Sequence, residues 1–161
     1  MEKKVNRAVL SVGSNIGDRK QNQYLAFDNI ESHIGNILKR SSFYENPSVG
    51  FESENNFINS CIAIKTRLNC REILDKIQWI EKSMGRIKTG SGYQDRIIDI
   101  DIIFFNNEVI KEEGLCVPHE RYHERDFVLV PLKELGDLVD PRQDFSLSST
   151  KSDKSHKDYT T

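Results

Sequence analysis

Asp99 and Asp101 stand two residues apart in the run Arg96-Ile97-Ile98-Asp99-Ile100-Asp101-Ile102-Ile103-Phe104-Phe105. The β-branched residues, with no Gly or Pro among them, predict a strand of the central, buried type. Side chains alternate along a strand, so Asp99 and Asp101 share a face with Ile97, Ile103 and Phe105, while Ile98, Ile100, Ile102 and Phe104 share the other. Two residues of strand rise put the two Cα atoms roughly 6.5–7 Å apart, and both carboxylates can then converge on one divalent cation or on a pair. Ligands that are all oxygen favour Mg²⁺ or Mn²⁺ over zinc. A solvated sheet face is the plainer explanation of an isolated Asp-x-Asp pair; the apolar neighbours on its own face weigh against it here.

Other groups that could do chemistry lie on either side. Arg86-Ile87-Lys88-Thr89-Gly90-Ser91-Gly92 joins two bases to a glycine-rich stretch without apolar periodicity. Residues 86–95 read as a loop; a plain linker is the simpler explanation, but the neighbouring acidic pair favours a lid that carries positive charge to an anionic substrate. His119-Glu120-x-x-His123 matches the pattern by which a helix presents two imidazoles to zinc. Pro118 before it, Arg121 and Arg125 around it, and the lack of a downstream third ligand mark it as a decoy. Gly13-x-x-x-Gly17 fits neither a dinucleotide fingerprint nor a P-loop, so an ordinary tight turn is the better explanation.

The elements that must position these groups follow from periodicity. Residues 8–12 form a short strand, and Asp18 caps a helix over residues 19–34 with Tyr24, Phe27, Ile30 and Ile34 at helical spacing and Gly35 at the C′ position. Residues 37–45 read as a second strand that ends in the loop at Asn46-Pro47. Residues 57–66 read as a third, with Phe57, Asn59, Cys61 and Ala63 on one face. Asn69 and Glu72 make a capping box for a second helix that carries Ile73, Ile77, Ile80 and Met84 and stops at Gly85. Gln78 and Glu81 near its end are most simply a solvated face. The acidic strand follows, and then Asn106-Asn107 turns the chain into a hairpin. The order β-α-β-β-α-β predicts an α+β fold, a ferredoxin-like sandwich with an added C-terminal hairpin and helical region. A single domain over residues 1–147 is expected, with a disordered polar tail at 148–161.

With 161 residues, 37% of them hydrophobic and 30% charged, the chain can bury a core without disulfides. A net charge of −2 gives no general pull toward nucleic acid or an anionic membrane, so neither partner is expected. Cys61, Cys70 and Cys116 are odd in number, lack metal-ligand spacing and read as small buried fillers in a reducing compartment. No signal segment or long apolar span is visible, and a cytoplasmic monomer is the expectation.

Six short motifs occur in order: Gly13-Ser14-Asn15; Ser42-Phe43-Tyr44-x-x-Pro47; Phe57-x-Asn59; Gln78-x-x-Glu81 with Gly85-Arg86; Arg96-x-x-Asp99-Ile100-Asp101; and Val117-Pro118-His119 with Arg125-x-Phe127. In these the sequence resembles the 6-hydroxymethyl-7,8-dihydropterin pyrophosphokinase family, over about residues 7–142. The resemblance implies transfer of diphosphate from ATP to the pterin hydroxymethyl group, with release of AMP, in folate biosynthesis. It implies that Asp99 and Asp101 hold two Mg²⁺ ions, that Arg96 and Arg125 bind phosphate, and that Gln78, Glu81, Lys88, Ile102 and His119 contact ATP. In the transfer step Arg86, Lys88, Arg96 and Arg125 are expected to stabilise charge as it develops, so that Arg86 and Arg96 are catalytic with Asp99 and Asp101. It further implies that Phe57 and Phe127 sandwich the pterin ring, that Asn59 reads its polar edge, and that Asn46 and Val49 belong to the pocket loop. This use of Gln78 and Glu81 displaces the solvated-face explanation. The chain departs from the family pattern at Gln94 and Asp95, at Lys88 where Arg is common, and at Gly114 where some members carry a base. Two other classes compete: a zinc-dependent hydrolase using residues 119–123, and a non-catalytic ferredoxin-like binding module.

Overall fold

β1 (Asn6–Ser14) runs through the middle of the sheet, because seven consecutive residues, from Ala8 to Ser14, are covered on both faces. In this computed structural model, residues 4–46, 56–85, 97–136, 138–142 and 146–147 are described. β4 (Phe57–Thr66) and β5 (Asp99–Phe105) flank β1, both antiparallel to it. β2 (Gly35–Arg40) and β3 (Tyr44–Asn46) both lie on the far edge of β4, and the order along the sheet is β2-β4-β1-β5. The result is a mixed α/β fold with an antiparallel sheet and, among the described residues, three α-helices.

The single strand expected at 37–45 is therefore two pieces of one edge. Between them the Ser41 N–H donates to the Cys61 carbonyl at 2.9 Å, and the Ser41 Oγ accepts the Cys61 N–H at 2.9 Å. A hydroxyl thus replaces one backbone rung, which lets the edge break without leaving Cys61 unsatisfied.

α1 (Arg19–His33) and α2 (Cys70–Ser83) pack on one face of the sheet. Ala26, Phe27, Ile30, Ile73, Ile77 and Ile80 from the helices meet Leu10, Val12, Ile62, Ile64, Ile98, Ile100 and Ile102 there. Each fully buried Ile contributes about 1.5–3 kcal/mol of burial. Asp18 caps α1 through the Gln21 N–H, and Asn69 with Glu72 makes the expected reciprocal box on α2. Gln23, fully buried, donates to the carbonyls of Val12 and Ile58 and accepts from Ser60, tying α1 to two strands.

Gly35 does follow the C-cap Ile34 as the C′ residue of α1, but without the positive φ of a left-handed cap. It opens β2, and a Cβ there would lie 2.2 Å from the Lys65 carbonyl oxygen, so close approach to β4 is what demands glycine. Gly85, at φ 101, does take the left-handed conformation that ends α2.

In the C-terminal region a hairpin adds Leu115 and Val117 to the helix-face core, while the segment after it covers the opposite face of the sheet. β6 (Ile110–Glu112) pairs with β7 (Leu115–Val117), a 3₁₀ turn spans Tyr122–Glu124, and α3 (Asp126–Lys133) follows. The Asn106-Asn107 turn exists, with Asn106 at φ 50, but it does not fold the chain back along β5; β6 finds its partner in β7 instead. β8 (Leu138–Val139) and β9 (Ser146–Leu147) pair with each other. Val9, Cys61, Ile103 and Phe104 form the second core with Tyr122, Val128, Leu132 and Leu135.

That second core corrects the expected face assignment of β5. Val9 pairs with Phe104 and Leu10 with Ile102, which leaves Ile103 as the extra residue of a β-bulge. Phe104 therefore joins Ile103 on the α3 face, while Phe105 turns to the helix face with Ile102. Asp99 and Asp101 precede the bulge and keep the alternation assigned to them.

Candidate active site

Cross-strand pairing arranges the α3 face of the sheet in rows. One row reads Tyr44, Asn59, Gly13, Asp99 across β3, β4, β1 and β5. The next reads Cys61, Ser11, Asp101 across β4, β1 and β5. Phe57 pairs with Asn46 at the β3 end of the same face. Two sequence-distant sets, the Asn59 group and the acidic pair, are thus separated only by β1.

Asp99 and Asp101 are both half-buried on this face. Between them, the Ile100 N–H donates to Glu81 Oε2 at 2.8 Å. Glu81 is itself buried on α2, so a helix carboxylate braces the backbone of the acidic strand at the midpoint of the pair. Gln78, one turn earlier, is exposed.

Asp101 also opens onto a cleft of about 750 Å³ bounded by Leu74 of α2, Ile102, the β6–β7 hairpin, His119 and Arg125. The β5 bulge sets one wall of it, because the Ile103 carbonyl accepts the His119 N–H at 3.1 Å. The His119 Nδ1 accepts the Arg121 N–H at 3.1 Å. In the neutral imidazole the proton then resides on Nε2, which is left as a donor. Burial, together with the nearby Arg125 cation, lowers the His119 pKa against the opposing pull of Glu120 and Asp99, so the ring is neutral at pH 7.

Residues 119–123 are not a helix. His119 and Glu120 lie in a turn after the cis Val117–Pro118 bond, and only Tyr122–Glu124 winds, as 3₁₀. The two imidazoles do not share a helix face, which removes the geometry a zinc hydrolase needs.

On the Asn59 side, the amide is buried and its Nδ2 donates to Asn46 Oδ1. Phe127 on α3 is half-buried against the second core, and Arg125 lies over its ring with 5.8 Å between guanidinium carbon and centroid. Arg125 and Phe127 thus link the cleft to the α3 face. Tyr44 has its pKa raised by burial and by the Asp126 carboxylate.

A family model described as 7,8-dihydro-6-hydroxymethylpterin-pyrophosphokinase (HPPK) matches residues 9–137. The chain belongs to that family. A relative from Bacillus subtilis named 2-amino-4-hydroxy-6-hydroxymethyldihydropteridine pyrophosphokinase is 41% identical over 136 residues, covering 84% of this chain and 81% of the relative. One of the same name from Haemophilus influenzae is 33% identical over 153 residues, covering 93% and 94%. A crystal structure of Plasmodium falciparum HPPK-DHPS with pteroate superimposes with a TM-score of 0.66 at 18% identity, over 81% of this chain and 40% of that one. That last likeness is one of fold.

Within this pyrophosphokinase-family chain, the structure brings Asp101, Ile102, His119 and Arg125 around one cleft, and Asn46, Phe57, Asn59 and Asp99 onto one sheet face. Val49, Arg86, Lys88 and Arg96 lie outside the described residues, as do the loop at 86–95 and the tail at 148–161. Sequence reasoning missed Lys111, Cys116 and Arg121, which line the cleft. No periodicity marks them, since Lys111 and Cys116 lie in three-residue hairpin strands too short to show one and Arg121 lies in a turn. Cys116 corrects the expectation of three buried cysteines: Cys61 and Cys70 are buried, but Cys116 is half-exposed and its Sγ lies 3.4 Å from Glu120 Oε1. Burial pushes the Cys70 thiol up to about 12.

Proposed function

We infer that this protein transfers diphosphate from ATP to the hydroxymethyl group of 6-hydroxymethyl-7,8-dihydropterin, releasing AMP, as a step of folate biosynthesis. The observation that carries the reading is the row that sets the buried Asn59 amide and Asp99 on opposite sides of β1, with Asp101 in the adjoining row opening onto the cleft. A site that joins two substrates needs both recognition groups on one surface, and this sheet face supplies them.

ATP lies in the cleft in this reading, against Ile102 and His119, with Gln78 and Glu81 on the α2 side. Arg125, joined by Arg86, Lys88 and Arg96, holds the phosphates. The neutral His119 offers its Nε2–H to an ATP oxygen or nitrogen without adding a charge. Asp99 and Asp101 fit Mg²⁺ by their donor set: two carboxylates on one strand face, with phosphate oxygens free to complete the coordination. Two bound ions would neutralise the triphosphate. The pterin ring stacks between Phe57 and Phe127, and Asn59, held by Asn46, reads its polar edge, with Val49 in the pocket loop. The pterin hydroxyl oxygen then attacks the β-phosphorus in line, forming the new P–O bond as the bond to the α-phosphate oxygen breaks and AMP leaves. Its proton passes to solvent or to a carboxylate, and no side chain is assigned as general base.

The strand order β2-β4-β1-β5 with two helices on one face supports the ferredoxin-like description of the fold. We take residues 1–147 as one domain and 148–161 as a polar tail. We take the protein as a cytoplasmic monomer, and its net charge of −2 gives no general pull toward nucleic acid or an anionic membrane. Among the described residues, no helix is long and apolar enough to cross a membrane. The test is incubation with ATP, Mg²⁺ and the reduced pterin. AMP should accumulate with the pterin diphosphate; production of ADP, or of no nucleotide product, overturns the reading.

A further inference from the structure

Gly13 occupies the one position of the Tyr44-Asn59-Gly13-Asp99 row that has no side chain, between the base-reading amide and the acidic pair. Strands in a sheet lie about 4.8 Å apart, so the Cα atoms of Asn59 and Asp99 are separated by about 10 Å with only Gly13 between them. The glycine is not there for a turn. It lies inside β1, and it is not among the residues of positive φ. What it provides is space: a Cβ at position 13 would lie 2.8 Å from Asn59 Oδ1 and 3.6 Å from Phe57 Cδ1. The Asn59 amide cannot swing away without cost, because it is buried and its Nδ2 is bonded to Asn46.

We propose that Gly13 is the positioning residue of the pterin site: its missing side chain lets the Asn59 amide lie over β1 in the position where it meets a flat heterocycle that reaches toward the acidic pair. The proposal rests on the functional reading above and deepens it. A single methyl group acts through that amide: at 2.8 Å from Asn59 Oδ1 it displaces the carbonyl oxygen from where it meets the ring. The ATP cleft, on the other side of β5, has no lining atom from Gly13 and is left as it is.

The test is a double-mutant cycle on pterin binding by calorimetry, with Gly13→Ala, Asn59→Ala and the double variant, alongside affinity for a non-hydrolysable ATP analogue. Gly13→Ala should weaken pterin binding about tenfold, the equivalent of about 1.4 kcal/mol, through loss of one well-placed hydrogen bond. ATP-analogue affinity should stay within about twofold, a change below about 0.5 kcal/mol. In the double variant the two losses should be markedly less than additive, since the methyl acts through the Asn59 amide. The Asn59 side-chain NH₂ resonances should shift in Gly13→Ala without substrate, a readout that general loosening would not confine to that amide. Should Gly13→Ala fail to fold, Gly13→Ala/Asn59→Gly, which removes the obstructed amide, should fold and bind pterin like Asn59→Gly alone; failure of that variant to fold overturns the proposal. Additive losses, an unmoved Asn59 resonance, or equal weakening of ATP and pterin also overturn it. Wild-type protein that binds no pterin removes the functional reading itself, and is read before any variant.

Discussion

Asp140 is the most deeply buried carboxylate described, 1% exposed, and it anchors the C-terminal segment to the turn that separates His119 from Arg125. It accepts the Tyr122 hydroxyl at 2.6 Å, the Arg142 Nη2 at 2.8 Å and both the Nε and backbone N–H of Arg142. Burial alone would raise its pKa, but the hydrogen bonds from Arg142 and Tyr122 outweigh that and hold it at about 2, below the ordinary 3.8. Because the folded pKa lies below the unfolded one, the carboxylate's contribution is fully present above pH 3.8 and is lost as pH falls through 2. A drop of about 1.8 pH units corresponds to about 2 kcal/mol, roughly half of it gone by pH 3. Asp140→Asn keeps the shape and an acceptor for Tyr122 but removes the charge. We expect it to cost about 2 kcal/mol at pH 7, or about 4–8 °C in Tm for a chain of this size. Urea unfolding of both proteins at pH 7, 5 and 3 checks the sign: the gap between them should be constant from pH 7 to 5 and narrow by about 1 kcal/mol at pH 3. Parallel stability curves down to pH 3 would refute the argument, since the charge would then not be what the anchor uses.

Asp101→Ala should abolish AMP formation while the melting temperature stays equal or rises, because carboxylate repulsion is relieved; a folded variant that still transfers would sink the metal assignment. Phe57→Ala should weaken pterin binding by about 0.5–1.5 kcal/mol for the lost aromatic geometry plus its lost burial, with ATP affinity unmoved. Calorimetry that finds both ligands weakened alike would displace Phe57 from the pterin site. Gln23→Leu strands the carbonyls of Val12 and Ile58 and the Ser60 hydroxyl in the core. Its cost should reach about 3 kcal/mol or more in denaturant unfolding, and a loss under about 1 kcal/mol would mean those groups find other partners.

The sequence by itself determined the local features whose signals are short in range. Alternation placed Asp99 with Asp101 and Phe57 with Asn59, and Asn69 with Glu72 marked the start of α2, because these depend only on neighbours a few residues away. The six motifs in order also pointed to the family, without saying how any of them meet. Tertiary structure alone decided the rest. The bulge at Ile103 cannot be read from β5, since it arises from the register with β1, yet it reverses Phe104 and Phe105 and supplies the carbonyl that holds His119. Gly35 and Gly13 look like turn residues in a linear chain; only the neighbouring strand reveals that one avoids a backbone and the other a buried amide. Glu81 looked like a surface residue until α2 packed against the edge of β5 and turned its carboxylate to the Ile100 N–H. The acidic pair could be found in the sequence, but the surface on which it meets Asn59 exists only because β1, the first strand of the sheet in the chain, lies between the third and the last strands of the expected order.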